Sequence, residues 1–306
     1  MQSRQPIAMV AVAMQGGGKT YTTMQELAIY QQKFRRSVLI LDINGEYTQY
    51  KAIYYDAREP DRRKRALGNP KTNRMGIAGI RLPRIYRILG IRPDNIPMSE
   101  AELVELIYTI TNYYTNGLLL CEEMNRYIRR QVPAGFYSFM ATLRHRGVDL
   151  IMHYQSIGDA HPDIWRQTKS LRLHRVMDSV RRIKDKIPNF ELTRIAELAI
   201  EKNYFIGANL KSETLKKYGD ELKVPKNEKL VYEYYIYYKV YINFEKMKII
   251  DISDEDFRIA CERYLYQERR EIRDILQEED ENGHKKYKSK QEAINKLISD
   301  KMIYIK

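Results

Sequence analysis

The glycine-rich turn at residues 15–20 constrains the fold of this chain more than any other feature. Its sequence, QGGGKT, follows the apolar run 7–13 and opens onto the helical pattern 21–34. Three glycines let the backbone wrap a phosphate group, the lysine reaches β- and γ-phosphate oxygens, and the threonine hydroxyl is placed to bind Mg²⁺. The predicted nucleotide-binding residues are Gln15, Gly16, Gly17, Gly18, Lys19, Thr20 and Tyr21.

Ala13 stands where the eight-residue form of this motif has its first glycine. We expect the loop to tolerate alanine there if the φ angle is negative. The alternative is a glycine-rich turn that only closes a tight junction between a strand and a helix. The apolar run before the turn and the helical pattern after it favour the phosphate site.

Length and cysteine content indicate a self-supporting α/β protein. The 306 residues have room for one large α/β domain and a smaller appendage. Only two cysteines are present, Cys121 and Cys261, which argues against a disulfide framework or a cysteine-based zinc site. Because no run of about 18 apolar residues and no cleavable leader is visible, we expect a cytoplasmic protein without a transmembrane segment.

The charge balance favours a polyanionic partner. Lysine and arginine total 53 against 40 acidic residues, a net charge of +13. Basic residues concentrate in the segment 56–74, where the predicted DNA-binding residues are Arg62, Arg63, Lys64 and Arg65. This segment indicates a surface that contacts the phosphate backbone of nucleic acid. The alternative is a solvated basic loop.

Five apolar runs predict the strands of a mostly parallel sheet flanked by helices. They lie at 7–13, 37–42, 117–123, 148–154 and 171–177, and helical patterns separate several of them at 21–34, 99–114 and 134–146. Strands that are apolar along their whole length are typical of sheets buried on both faces.

Polar side chains end two of these runs. Glu122 and Glu123 close the third run, and Gln155 follows the fourth. In a chain that holds a phosphate loop, the first carboxylate of such a pair positions Mg²⁺ and the second orients the attacking water. Because ligands of parallel sheets bind at the carboxyl ends of the strands, Gln155 is expected to face the same crevice.

The C-terminal third predicts a smaller mixed α+β appendage. We interpret the tyrosine-rich run 230–250 as a β-hairpin, and Ser253 as the cap of a helix that continues to about residue 277. The predicted domains are a P-loop core at 1–205, a hairpin region at 206–250 and a helical tail at 251–306.

Four stretches together resemble the FtsK/HerA superfamily of P-loop ATPases: the glycine loop, LDINGEY at 41–47, LLLCEEMNRY at 118–127 and LRHRGVDLIMHYQ at 143–155. The resemblance covers roughly residues 5–177. The superfamily includes DNA translocases, conjugation ATPases, genome-packaging ATPases of tailless viruses and the zonula-occludens-toxin-like assembly ATPases of filamentous phages. It implies a RecA-like P-loop NTPase fold.

The resemblance also implies roles for single residues. Lys19 and Thr20 would be the Walker A lysine and the Mg²⁺ ligand, and Glu122 would replace the Walker B aspartate. Glu123 would be the catalytic glutamate and Gln155 the sensor of the γ-phosphate. Arg144 would be the arginine finger supplied to a neighbouring subunit, with Arg146 as the alternative.

The expected function is Mg²⁺-dependent ATP hydrolysis that drives translocation of double-stranded DNA. We expect a hexameric ring that serves viral genome packaging or DNA transfer, with a capsid or membrane-complex protein as a further partner and a location in the host cytoplasm or the virion. One alternative is a slow, nucleotide-switched DNA-binding or assembly scaffold, which Ala13 and Glu122 motivate. Another is a small-molecule kinase, since kinases also use such loops.

Overall fold

The chain divides into two units, Met1–Leu171 with Val176–Pro188, and Arg172–Arg175 with Asn189–Lys306. The structure is a computed structural model. It describes residues 5–53, 84–92, 94–128, 132–268, 277–289, 291–292 and 295.

A parallel sheet forms the centre of the first unit. Its strands are β1 (Ala8–Val12), β2 (Ser37–Asp42), β3 (Lys51–Ile53), β4 (Ile85–Leu89), β5 (Gly117–Cys121) and β6 (Asp149–Tyr154). Their order is β3-β4-β2-β5-β6-β1, and each neighbouring pair is parallel. Next to β1 begins β7 (Ser170–Leu173), where the backbone N–H of Lys169 donates to the carbonyl of Ala8 at 2.9 Å.

The apolar runs explain why this sheet forms. Every residue of β1, β2, β5 and β6 is buried. A strand with apolar side chains on both faces gains most by lying inside a sheet that is covered on both sides. Because the strands are parallel, their carboxyl ends meet at one edge, and that edge carries the candidate site.

In the described part of this unit, the helices between the strands are α1 (Lys19–Phe34), α2 (Glu100–Tyr113), α3 (Ala134–Arg146) and α4 (Pro162–Gln167). Ser99 and Glu102 form a capping box at the start of α2, because the Ser99 hydroxyl accepts from the N–H of Glu102 and the Glu102 carboxylate accepts from the N–H of Ser99. Gly147 ends α3 in the left-handed region, at a φ of 64°.

Four of the five predicted strands and the three predicted helices are confirmed. The strand predicted at 171–177 is present only as Ser170–Leu173, and β3 and β4 were not predicted. One charged side chain, Arg87, interrupts the apolar pattern of β4. Its guanidinium lies against the buried Asp42 carboxylate at 2.9 Å and donates to the carbonyl of Tyr50 at 3.1 Å. These tertiary contacts therefore hold a charged side chain within a strand that the apolar pattern did not predict.

The second unit contains α5 (Phe190–Tyr218), α6 (Lys226–Tyr237), β8 (Val240–Asn243), β9 (Lys248–Ile250) and α7 (Asp254–Glu268). Strands β8 and β9 are antiparallel, with Tyr241 opposite Ile250. Ser253 accepts from the N–H of Asp256 at 3.1 Å at the start of α7, as its predicted capping role requires.

The prediction of a β-hairpin over 230–250 is wrong in its first half, which is helix α6. Aromatic residues favour strands, but packing against α5 outweighs this preference. Tyr232 is fully buried, and Tyr235 lies against Gly207 of α5, where an added Cβ would come within 2.1 Å of Tyr235 Cβ. Only residues 240–250 form the hairpin.

Helix α5 runs through the boundary predicted at residue 205, which therefore lies inside an element of the second unit. In the parts of the chain that the structure describes, no helix combines the length and the apolar character that a membrane span needs. The end of the predicted helical tail, from residue 296 onwards, lies outside the described residues.

We predict that Gly117→Ala destabilises the sheet. A Cβ at this position would lie 2.2 Å from the Tyr114 hydroxyl and 2.6 Å from the carbonyl oxygen of Ser37. Overpacking of this kind costs about 1–3 kcal/mol, and urea denaturation measures it. Thr115→Ala, two residues away and half-buried, is the control and should change the free energy of unfolding by less than about 0.5 kcal/mol. Equal stability of the two variants would contradict the packing described at the start of β5.

Candidate nucleotide-binding site

The glycine loop has the backbone that a phosphate cradle needs. Gly16 and Gly18 have φ angles of 74° and 79°, which glycine adopts without strain. The N–H of Gly17 donates to the carbonyl of Met14 at 3.0 Å, and a Cβ on Gly17 would meet that oxygen at 3.0 Å. Ala13 is not among the residues with a positive φ, so the condition for tolerating alanine there is met.

The loop lines an open cavity of about 560 Å³, within the range of small-molecule sites. The cavity brings together the predicted nucleotide-binding residues and the polar ends of three strands. Its lining residues are Ala13, Met14, Gln15, Gly16, Gly17, Gly18, Lys19, Thr20, Tyr21, Asn44, Glu46, Glu122, Glu123 and Gln155.

Lys19 and Thr20 begin α1, so the positive end of the helix faces the cavity. The Lys19 ammonium donates to the carbonyl of Tyr154 at 3.4 Å. The Thr20 hydroxyl donates to the carboxylate of Glu46. Both side chains are thus held toward the carboxyl ends of the central strands.

Glu46 was not among the predicted site residues. The buried Asp42 carboxylate accepts from the N–H groups of Glu46 at 2.9 Å and Tyr47 at 3.1 Å. Gly45, which lies between Asp42 and Glu46, takes a φ of 72°. This tight turn after β2 directs Glu46 toward Thr20. The signal in the sequence is the DINGEY string, in which an aspartate precedes a short asparagine-glycine turn.

Glu122 is a buried carboxylate with several partners. Only 1% of the residue is exposed. Its Oε1 accepts from the Tyr47 hydroxyl and lies 2.8 Å from Nδ1 of His153, whose Nε2 lies 3.0 Å from the Thr23 hydroxyl. Burial raises the pKa of the Glu122 carboxyl, but the neighbouring His153 ring, the Lys19 ammonium and the Tyr47 hydroxyl lower it to about 2. Glu122 is therefore ionised at neutral pH.

Glu123 lies at the cavity in an unusual backbone conformation, with φ 45° and ψ 57°. The amide of Gln155 donates to its Oε1 at 2.7 Å. Nε of Arg126 lies 2.8 Å from its Oε2. Arg126 was not predicted as a site residue. The only sign of it in the sequence is its place in the stretch LLLCEEMNRY at 118–127.

Arg144 is not part of this cavity. It lies near the end of α3, just before β6 begins, whereas the cavity is at the carboxyl end of β6. Six strand residues separate the two edges by about 17 Å. Arg146, the alternative finger, donates to the carbonyl of Asn112 at 3.2 Å. Arg62, Arg63, Lys64 and Arg65 lie outside the described residues.

The donor set fits Mg²⁺ in a nucleotide site. Thr20, Glu46 and Glu122 line one cavity and offer hydroxyl and carboxylate oxygens, the ligands that Mg²⁺ prefers. Within the described ranges, no cluster of three or more His, Cys, Asp or Glu side chains could hold a metal ion alone. Mg²⁺ bound with a nucleotide needs only one or two protein carboxylates besides phosphate oxygens and water.

No family model matches the sequence, and no curated protein is similar to it. Solved structures do resemble the chain. One is the genome packaging NTPase B204 from Sulfolobus turreted icosahedral virus 2 in complex with AMPPCP, at 15% identity and a TM-score of 0.47, covering 80% of this chain and 96% of that chain.

A second is B204, the DNA-packaging ATPase from Sulfolobus turreted icosahedral virus, at 12% identity and a TM-score of 0.45, covering 81% and 97%. A third is the N-terminal domain of zonular occludens toxin from Neisseria meningitidis, at 14% identity and a TM-score of 0.31, covering 55% and 76%. The first two are named as a genome packaging NTPase and a DNA-packaging ATPase.

These neighbours are of the same kinds, packaging ATPases and a zonular occludens toxin, that the four stretches resemble. This chain has the P-loop fold, with the loop between β1 and α1 at the edge where parallel strands end. Because the identities are low and the scores lie below 0.5, the function of the P-loop site has to be argued from its own residues.

We predict that Glu122 makes stability depend on acid pH. Its folded pKa of about 2 lies below the ordinary value of 4.5, so the stability that it contributes is complete above about pH 4.5 and is lost as the pH falls toward 2. Over this window, the free energy of unfolding should fall by about 3 kcal/mol more in the wild type than in Glu122→Gln.

Urea denaturation at intervals from about pH 6 downwards measures this difference. The exposed Glu213 of α5 provides the control, and Glu213→Gln should follow the wild-type curve. Parallel curves for wild type and Glu122→Gln would show that the buried carboxylate is not held ionised by its partners.

Proposed function

We propose that the protein is an ATPase that uses this cavity to hydrolyse ATP. The observation that carries the proposal is the position of Glu123 and Gln155 in the same cavity as the glycine loop and Lys19. A phosphate cradle alone would support binding. A carboxylate with a neutral amide beside it adds the groups that hydrolysis requires.

Each residue has a role in this proposal. The N–H groups of the glycine loop and the start of α1 hold the β-phosphate, and Lys19 contacts the β- and γ-phosphates. Glu123 accepts a proton from the attacking water, while the Gln155 amide responds to the γ-phosphate. When bound through Thr20 and the nearby carboxylates, Mg²⁺ supplies charge that offsets the charge of the phosphates.

We further propose that hydrolysis drives the movement of double-stranded DNA, in viral genome packaging or DNA transfer. The net charge of +13 supports a polyanionic partner. Arg144 lies at the sheet edge opposite the cavity, so a role for it as an arginine finger requires a second copy of the chain, as in the proposed hexameric ring. We place the protein in the host cytoplasm or the virion, with a capsid or membrane-complex protein as a further partner.

A slow nucleotide switch is the second candidate function. Glu122 is almost fully buried, and its Oε1 is already shared by Tyr47 and His153. A carboxylate bound in this way is less able to follow a metal ion through a catalytic cycle. A DNA-binding or assembly scaffold that keeps its nucleotide would accommodate this arrangement.

We predict that two substitutions separate binding from chemistry. Lys19→Ala removes a charge-assisted contact to phosphate, so ATP binding should weaken. Glu123→Gln should bind ATP normally and lower kcat by about 10² or more. Fluorescent-nucleotide titration measures binding, and phosphate release with and without duplex DNA measures turnover. Strong stimulation by DNA supports the motor, whereas slow turnover that DNA does not change supports the switch.

Lys216→Ala and Glu213→Gln, which change exposed residues of α5, are the matched controls and should leave both quantities unchanged. Turnover at the wild-type rate in Glu123→Gln would exclude Glu123 as the base.

We predict that the arginine-rich segment contacts DNA phosphates. Replacing Arg62, Arg63 and Arg65 together with alanine should reduce the slope of log K against log salt concentration by up to about three times 0.9. The loss should be the same for unrelated DNA sequences, because phosphate contacts do not read bases. Basal ATP hydrolysis should stay nearly unchanged.

Fluorescence anisotropy with duplex DNA at several salt concentrations gives the slope. A second variant, in which Lys285, Lys286 and Lys288 are all replaced with alanine, loses the same number of positive charges and serves as the comparison. A reduced slope in this lysine variant, with an unaltered slope in the arginine variant, would assign the DNA contact to the C-terminal region.

A further inference from the structure

Among the described residues, two side chains contact the Glu123 carboxylate, and one of them has no part in the mechanism above. Its Oε1 accepts from the Gln155 amide at 2.7 Å, and its Oε2 lies 2.8 Å from Nε of Arg126. The two contacts come from different elements, the end of β6 and the turn after β5. Together they fix the direction of the carboxylate at both oxygens.

Arg126 lies in a short turn that begins directly after Glu123. Residues Met124–Arg126 form one turn of 3₁₀-helix, and the N–H of Arg126 donates to the carbonyl of Glu123 at 2.8 Å. The Tyr127 hydroxyl donates to the carbonyl of Glu122. Glu123 itself keeps a left-handed backbone, which a residue with a side chain adopts only when its surroundings hold it there.

We propose that Arg126 restrains Glu123 in a resting position, so that breaking the ion pair is a step toward hydrolysis. The inference rests on the proposed function of Glu123 as the base. To accept a proton, a carboxylate oxygen must come within hydrogen-bond reach of the attacking water. A charged guanidinium at Oε2 and an amide at Oε1 both compete with that water for the same oxygens.

The restraint is weak enough to open. The Arg126 side chain is 51% exposed, against 12% for Glu123. Solvent therefore screens the pair, and the guanidinium can leave into water without burying a charge. Gln155 differs from Arg126, because it lines the cavity and a γ-phosphate would offer its amide another acceptor. Once the amide turns to the phosphate, Arg126 is the remaining restraint on Glu123.

The test compares Arg126→Ala with Arg126→Lys in the full-length protein. Loss of the ion pair should raise basal kcat by about two- to five-fold, the factor that an exposed ion pair can contribute. KM for ATP should stay within about two-fold, because Arg126 does not line the cavity. Arg126→Lys keeps the charge and should return kcat toward the wild-type value.

Arg166→Ala is the matched control. Arg166 pairs with Asp163, also three residues earlier, at 2.7 Å, and its side chain is 72% exposed. The pair lies in α4, away from the cavity, so its loss should leave kcat unchanged. A general effect of removing a surface arginine would appear in both variants.

A double-mutant cycle on urea denaturation, with Arg126→Ala, Glu123→Gln and both together, provides a readout that is independent of turnover. It should give a favourable coupling between the two side chains. A kcat that is unchanged or reduced in Arg126→Ala, or a cycle without coupling, would overturn the restraint. If instead Glu123→Gln alone turns over like the wild type, the proposed base fails, whatever Arg126 does.

Discussion

The buried carboxylate of Glu122 is the interaction on which the rest of the site depends. An ionised group with 1% exposure is costly unless charges and hydrogen bonds compensate it. Its partners come from separate parts of the chain: Tyr47 follows β2, His153 lies in β6, and the Lys19 ammonium begins α1. The need to satisfy one charge therefore brings the phosphate loop and the ends of two strands into a fixed arrangement. Thr23, which contacts His153, extends this network into α1.

The buried Asp42 carboxylate likewise fixes the chain around the end of the neighbouring strand, β2. It is fully buried at the end of β2 and accepts from two backbone N–H groups and from Arg87. The turn that results brings Glu46 to Thr20. Both carboxylates lie where a parallel strand ends, and each is followed by an acidic side chain that lines the cavity, Glu46 after Asp42 and Glu123 after Glu122. A buried acid that is satisfied internally thus orients a neighbouring acid that lines the cavity.

The central sheet could be predicted because its strands are buried on both faces, so that burial alone determines their composition. The same reasoning fails where burial is partial. Strand β4 carries Arg87, and only its contacts with Asp42 and Tyr50 make the charge acceptable there. In α6, aromatic residues suggested a strand, but Tyr232 is buried and Tyr235, three residues later on the same helix face, packs against α5, where Gly207 leaves the room that Tyr235 needs. Neither outcome depends on local preference.

The sequence by itself determined the phosphate loop, the succession of buried strands and helices along the first unit, and the position of Glu122, Glu123 and Gln155 at one edge of the sheet. These follow from local backbone chemistry and from the rule that parallel strands end together. Only the tertiary structure decided which groups satisfy those side chains. His153, Tyr47, Glu46 and Arg126 lie within the stretches that carry the resemblance, but the sequence does not show which groups they contact. Those contacts arise because buried or clustered charges take the donors and acceptors that the fold places within about 3 Å.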